Sequence, residues 1–218
     1  MGVSLVPGRM GILGGTFDPI HVGHLALAEE AREALGLERV LFVPAGHPWQ
    51  KAGSPVTPVV DRVAMTGLAI ASNPAFELST AEAFRPGPTY TADTLEALAS
   101  DQRRLGREPD LWFILSTETF LALSTWHEPE RLLATCRLAV APRPGYRPAD
   151  PGWLERTFPG LGDRAAFLDG PVLDVSARDL RERVREGRSI RYLVPDAVVA
   201  YIGDHGLYTD TEGRSMPS

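Results

Sequence analysis

Cysteine is almost missing from this chain. Of 218 residues only Cys136 is a cysteine, so no internal disulfide can form. No CxxC and no Cys/His cluster with zinc-ligand spacing occurs either. A reducing compartment, the cytoplasm, is the expectation. Positive charge is also short: 22 Lys and Arg face 28 Asp and Glu, a net charge of −6, and the pI is near 5.4. That balance excludes a broad basic face for nucleic acid, but it leaves room for local positive potential around a small phosphorylated ligand. No apolar run approaches the ~20 residues that span a bilayer, so no membrane partner is expected. Residues 1–9, MGVSLVPGR, lack the apolar stretch of a signal peptide. Val6 stands where an N-myristoylated start carries Ser or Thr. Walker A and GxGxxG are both missing, which excludes a P-loop and the ordinary dinucleotide fingerprint.

What is present suits one domain with a sizeable core: hydrophobic residues make up 44% and charged residues 23%. Strand-like and helix-like segments alternate. MGILGG, RVLFVPA, AFELS, DLWFIL and RLAVAP read as strands. HVGHLALAEEAREALGL, DRVAMTGLAIAS, TADTLEALASDQRR, EPERLLATC, ARDLRERVREG and DAVVAYIGDHG read as helices. Thr91 or Asp93 offers a cap for the third of these. The alternation implies an α/β fold of the Rossmann-like, doubly wound kind. Its sheet is mostly parallel with helices on both faces, and a small helical segment follows at the C-terminus. One domain is expected over residues 10–208, with 1–9 and 209–218 as flexible tails. Segment 146–162, rich in Pro and Gly, reads as an irregular surface insertion. In such sheets ligands bind beyond the carboxyl ends of the strands. Chemistry is therefore expected in segments 14–24, 44–58, 116–126 and 176–181.

The first of these reads GGTFDPIHVGH. Gly14 and Gly15 allow a sharp turn and close approach of a ligand to the backbone. Pro19 sets the turn before a helix. His21 and His24, spaced i, i+3, share a face of its first turn. A helix N-terminus carries about half a positive charge and unpaired N–H groups, which favour phosphate. Two imidazoles there add donors to the same site. A zinc reading lacks an obvious third ligand, so no dedicated metal site is expected.

GGTFDPIHVGH resembles the G-[TS]-F-D-P-x-H-x-G-H signature of the HxGH nucleotidyltransferase superfamily. VPAGHPWQK, GPTYTADTL, TWHEPERLL, RPGY and VSARDLRERVREGRSIRYLVPDAVVAYI extend the resemblance to bacterial nicotinate mononucleotide adenylyltransferases, across about residues 10–208. The resemblance implies transfer of AMP from ATP to nicotinic acid mononucleotide, in NAD biosynthesis. ATP and that mononucleotide are the implied partners, and Mg²⁺ is the implied cofactor, carried mainly on the ATP phosphates. His21, His24, Lys51 and Arg181 would be catalytic, the histidines as charge stabilisers rather than proton acceptors. Gly14, Gly15, Thr16, Phe17, Glu118 and Ser176 would join His21, His24 and Arg181 around ATP. Thr89, Tyr90, Thr91 and Trp126 would hold the acceptor, with Trp126 stacked on the pyridine ring.

The chain departs from the family pattern at Ser116-Thr117-Glu118, where Gly-Ala-Asp is usual, and at Ala177 and Arg178, where Ser and Thr are usual. PWQK replaces the commoner PPHK. Two other readings stay open at this level. One is a paralogue that binds a nucleotide without turnover. The other is an adenylyltransferase for a different acceptor, such as nicotinamide mononucleotide. Self-association is also left open.

Overall fold

A computed structural model describes residues 6–46, 56–87 and 89–209. Strands β1 (Val6–Gly15), β2 (Leu37–Pro44), β3 (Phe76–Leu78), β4 (Asp110–Ser116), β5 (Arg137–Ala141) and β6 (Ala165–Phe167) form one sheet. Its order is β3-β2-β1-β4-β5-β6, and the pairs are parallel throughout. Parallel neighbours need crossovers, and the helices supply them: α1 (Val22–Leu35), α2 (Val59–Ile70), α3 (Thr91–Arg104), α4 (Thr117–Leu121), α5 (Pro129–Thr135), α6 (Gly152–Thr157), α7 (Ala177–Arg185) and α8 (Asp196–Asp204).

Strand side chains alternate between two cores, as a period of two requires. Val40 and Phe42 of β2, Trp112 and Ile114 of β4, and Ala139 of β5 face α1, α2, α7 and α8. Leu41, Val43, Leu111, Phe113, Leu115, Leu138 and Val140 face α3, α4, α5 and α6. Burial on both faces is why DLWFIL and RLAVA read as unbroken apolar runs. The doubly wound expectation therefore holds, and the described sheet is wholly parallel rather than mostly so. Among the described residues, no helix is long and apolar enough to cross a membrane.

Three local expectations need correction, and one strand was not anticipated. β1 starts at Val6, not Met10: the Val6 N–H donates to Gly36 O at 2.8 Å, and that of Gly8 to Glu38 Oε2 at 2.6 Å. Part of the expected N-terminal tail is thus sheet. Neither Thr91 nor Asp93 caps α3. Tyr90 occupies that position without a side-chain cap, and Asp93 instead pairs with Arg131 at 2.9 Å. Segment 146–162 is anchored rather than irregular, because α6 buries Leu154 and Trp153 packs edge-on against Phe120 at 4.7 Å. Finally, β6 carried too short an apolar signal, three residues, to be distinguished from loop.

Phe120 is fully buried and meets both Trp153 and, at 5.6 Å, Phe167. Phe120→Ala should cost about 3–5 kcal/mol of unfolding free energy. Urea denaturation checks this, and a loss below about 1 kcal/mol would mean the α4–α6 layer is not packed as described.

Candidate active site

β1 is flanked by β2 on one side and β4 on the other, and the chain winds in opposite directions from that point. A crevice opens where such a sheet reverses, beyond the carboxyl ends of its strands. A cavity of about 300 Å³ lies there, walled by Gly14 and Gly15 of β1, by Thr16 of the turn that follows, and by Ile114, Leu115 and Ser116 from β4. His24, Glu82, Thr89, Thr91, Thr94, Trp126 and Arg143 also line it.

The turn out of β1 is shaped by close packing. Phe17 takes φ 49, which folds its ring back over Gly15. A Cβ at Gly15 would lie 2.9 Å from Phe17 Cε1, so a side chain there would displace the Phe17 ring. The Phe17 ring is buried and touches Phe42 at 6.0 Å and the His24 edge at 5.0 Å. Phe17, expected around ATP, therefore supports His24 from the core and leaves the cavity wall to its neighbours. Arg62, which sequence reading passed over, is 1% exposed. Its guanidinium donates to Thr16 O at 2.7 Å, Thr57 O at 2.9 Å and Gly46 O at 3.1 Å. It ties the turn after β1 to the segments that follow β2. Burial pushes its pKa down and the nearby Asp18 carboxylate opposes this; a guanidinium stays charged regardless.

His21 is the N-cap residue of α1, and His24 falls at its third helical position. The His21 backbone N–H donates to His24 Nδ1 at 3.2 Å. Neutral His24 consequently carries its proton on Nε2, the other ring nitrogen. The two rings stack at 3.7 Å. Gly23 makes this possible, since a Cβ there would sit 3.0 Å from His21 Nδ1. That Nδ1 approaches the His24 N–H in the manner of a capping box but makes no hydrogen bond of good geometry and is buried. His24 lines the cavity, and His21, 6% exposed, stacks behind it. Burial first, and the Arg143 charge second, lower the His21 pKa to about 4. At neutral pH His21 is thus a dipolar group and not a cation, a refinement of the charge-stabilising role expected for it.

On the opposite wall, Thr89 and Thr91 frame the N-terminus of α3, and Trp126 stands edge-on to Phe113 at 5.9 Å. Trp126 Nε1 is buried without a partner, an unspent donor beside the cavity. Tyr90 does not line the cavity; its ring lies tilted against His127 at 4.0 Å. Glu82 was not legible as a site residue. It accepts from Thr94 Oγ1 at 2.7 Å, and burial raises its pKa. Arg143, in the RPGY segment, was also missed. Among the described residues it is the cation lining the cavity, and its Nε meets Glu118 Oε2 at 3.0 Å. Glu118 thus acts on Arg143 from outside the wall.

Ser176 and Arg181 do not line the cavity. Ser176 Oγ caps α7 by accepting from the Asp179 N–H at 3.1 Å. Arg181 Nη1 donates to Asp18 O at 2.6 Å, so it holds the loop that leads to the histidines. Lys51, the only lysine in the chain, lies outside the described residues. The unusual Ser116-Thr117-Glu118 has a local logic: Ser116 caps α4 through Thr119 N at 3.4 Å, and Thr117 Oγ1 donates to Ala141 O at 3.0 Å.

The sequence profile of the cytidylyltransferase-like family matches residues 12–183. A Roseiflexus sp. (strain RS-1) protein named "Probable nicotinate-nucleotide adenylyltransferase" is 51% identical over 91% of this chain and 97% of its own length. A Thermomicrobium roseum protein of the same name is 46% identical over 96% and 95%. The chain belongs to the cytidylyltransferase-like family, in its nicotinate-nucleotide adenylyltransferase branch. Family membership agrees with the fold. The Plasmodium falciparum nicotinic acid mononucleotide adenylyltransferase, solved with APC and with NaAD, superimposes with a TM-score of 0.74 in each case. Identity is 18–19%, over 92% of this chain and 97% of that one.

The buried, neutral His21 has a measurable consequence. The unfolded chain protonates it near pH 6.5 and the folded one near pH 4, so between these values the unfolded state binds more protons. Stability should rise with pH through that window, by on the order of 3 kcal/mol from this residue, and level off above 6.5. His21→Asn should remove that component. Urea titrations of both proteins at pH 4.5 and 7 check it, and equal pH slopes would show that His21 is not held neutral.

Proposed function

We infer that the protein transfers the AMP moiety of ATP to nicotinic acid mononucleotide, releasing pyrophosphate and forming nicotinic acid adenine dinucleotide. One observation carries the reading. The first turn of α1 presents the His24 Nε2–H and the glycine backbone at the switch point, facing Thr89, Thr91 and Trp126 across a single cavity. A nucleoside triphosphate fits the first wall and a flat heteroaromatic acceptor the second.

In the reaction an oxygen of the acceptor phosphate attacks the ATP α-phosphorus. A new P–O bond forms as the bond to the β-phosphate oxygen breaks, and pyrophosphate leaves with the electron pair. The nucleophile carries about −1.5 to −2 charge at neutral pH and needs little help from a base. What it needs is to be brought in line with another polyanion, and positioning and charge stabilisation supply this. The His24 Nε2–H, the backbone donors of the turn after β1 and the helix dipole bear on the phosphates. Arg143 adds a full charge held in place by Glu118. Thr89, Thr91 and Trp126 set the acceptor's orientation.

Mg²⁺ is part of this proposal. It keeps several waters and few protein ligands when bound to phosphates. Among the described residues the carboxylate lining the cavity is Glu82, which accepts from Thr94, so the phosphate oxygens would carry the ion. When bound, it neutralises phosphate charge. A cytoplasmic setting is likewise proposed, supported by the lone, buried Cys136 thiol.

Pyrophosphate release from ATP, Mg²⁺ and nicotinic acid mononucleotide tests the assignment, and no turnover above background would reject it. His24→Ala should lower kcat by about 10²-fold or more, roughly 2.7 kcal/mol of transition-state stabilisation; an unchanged rate would remove His24 from the site. Trp126→Ala should raise the acceptor KM with less effect on that of ATP. Equal effects on both would contradict its place on the acceptor wall.

A further inference from the structure

The loop between Gly15 and Val22 is held from outside. Arg62 takes Thr16 O, and the Val22 N–H donates to Leu193 O at 3.0 Å. Between these lies Asp18, 2% exposed, the most heavily engaged residue of the loop. Its carbonyl accepts from Arg181 of α7, and its Oδ2 accepts from the Thr57 N–H at 3.3 Å. Its Oδ1 accepts at 2.8 Å from the hydroxyl of Tyr208, 190 residues away. The C-terminal segment therefore reaches back beneath the turn that presents the histidines.

Tyr208 is built for that reach. It takes φ 64, a backbone region that side-chain-bearing residues rarely adopt, and its ring packs against the core shared by α1, α2 and α8. Burial and Asp18 both raise its pKa, which keeps it a donor at every working pH. Only Pro19 and Ile20 separate Asp18 from His21, too few to absorb a shift of the carboxylate without moving the imidazoles.

We propose that Tyr208 is a positioning residue for adenylyl transfer: its hydroxyl, through Asp18, sets the loop that aims His24 at the phosphates. The proposal rests on the reaction assigned above. It assigns to the C-terminal segment a part in the chemistry that the cavity wall does not disclose. In-line transfer is sensitive to placement, and a shift of about 1 Å at the reacting groups lowers rates by up to ~10²-fold.

Tyr208→Phe removes the hydroxyl and leaves the ring. It should lower kcat about tenfold, leave both KM values within about twofold, and lower Tm by only a few degrees. Imidazole ¹H–¹⁵N spectra of the unliganded variant should show the His21 and His24 signals displaced. Tyr201→Phe is the control, since it deletes a comparable hydroxyl–carboxylate bond from α8, to Asp61 of α2 at 2.9 Å rather than to Asp18. It should retain wild-type kcat. A Tyr208→Phe protein with wild-type kcat, or with unmoved imidazole signals, overturns the proposal. So does a Tyr201→Phe protein that loses as much activity, because the effect would then be general loosening. Should the wild-type protein release no pyrophosphate, the assigned reaction fails, and the imidazole signals alone decide whether Tyr208 positions the loop.

Discussion

The position of β1 in the sheet is the constraint on which the rest depends. It is hydrogen-bonded along one edge to β2, through the Gly15–Pro44 pair, and along the other to β4. Pairing with β4 ends at Ile12 and Phe113, so β2 alone holds the last residues of β1, and the turn that follows emerges over the crevice. Close packing enforces the arrangement from within: a Cβ at Gly11 would lie 2.7 Å from Leu37 Cδ1 and 3.0 Å from Ile114 Cδ1. The two neighbouring strands send their chains to opposite sides, which is what leaves the crevice open.

A chain of net charge −6 that handles two polyanions must concentrate its positive potential. It does so with few full charges in the wall. In the proposed reaction, backbone N–H groups, a helix N-terminus and the imidazoles would present dipoles oriented toward developing charge. Arg143 contributes a full charge and pairs with Glu118 at 3.0 Å. The remaining buried charges serve architecture. Arg62 gathers three carbonyls from separate segments, and Asp18 collects donors from three others. Hydrogen bonds to charged groups contribute about 1.5–3 kcal/mol each. Their more important effect here is to hold irregular backbone in one shape.

Much of this was legible before any coordinates. The apolar runs of β2, β4 and β5 were visible because their signals are local. So was the GGTFDPIHVGH turn. The shorter β6, α4 and α6 were not, since three to six residues carry too little periodicity. Among site residues, Thr16, His24, Thr89, Thr91 and Trp126 line one cavity, in keeping with what the family resemblance implied. Arg181, Ser176 and Phe17 belong to the same neighbourhood but act on the loop, on the helix end and on the His24 ring. Arg143, Glu82, Arg62 and Tyr208 escaped notice because an isolated Arg, Glu or Tyr has no local signature of burial or partnership.

Local pattern determined the parallel α/β architecture, the strand after which phosphate would bind and the pair of histidines on one helical turn. These follow from periodicities of two and 3.6, from glycine's missing Cβ and from the dipole of a helix start, all of which act within a few residues. Only the tertiary structure decided which histidine faces the cavity, that its partner is neutral, and that Arg143 rather than Arg181 stands in the wall. It alone joined Tyr208 to Asp18. Those outcomes turn on burial and on contacts between residues up to 190 positions apart, and desolvation and long-range hydrogen bonding exist only once the chain has closed on itself.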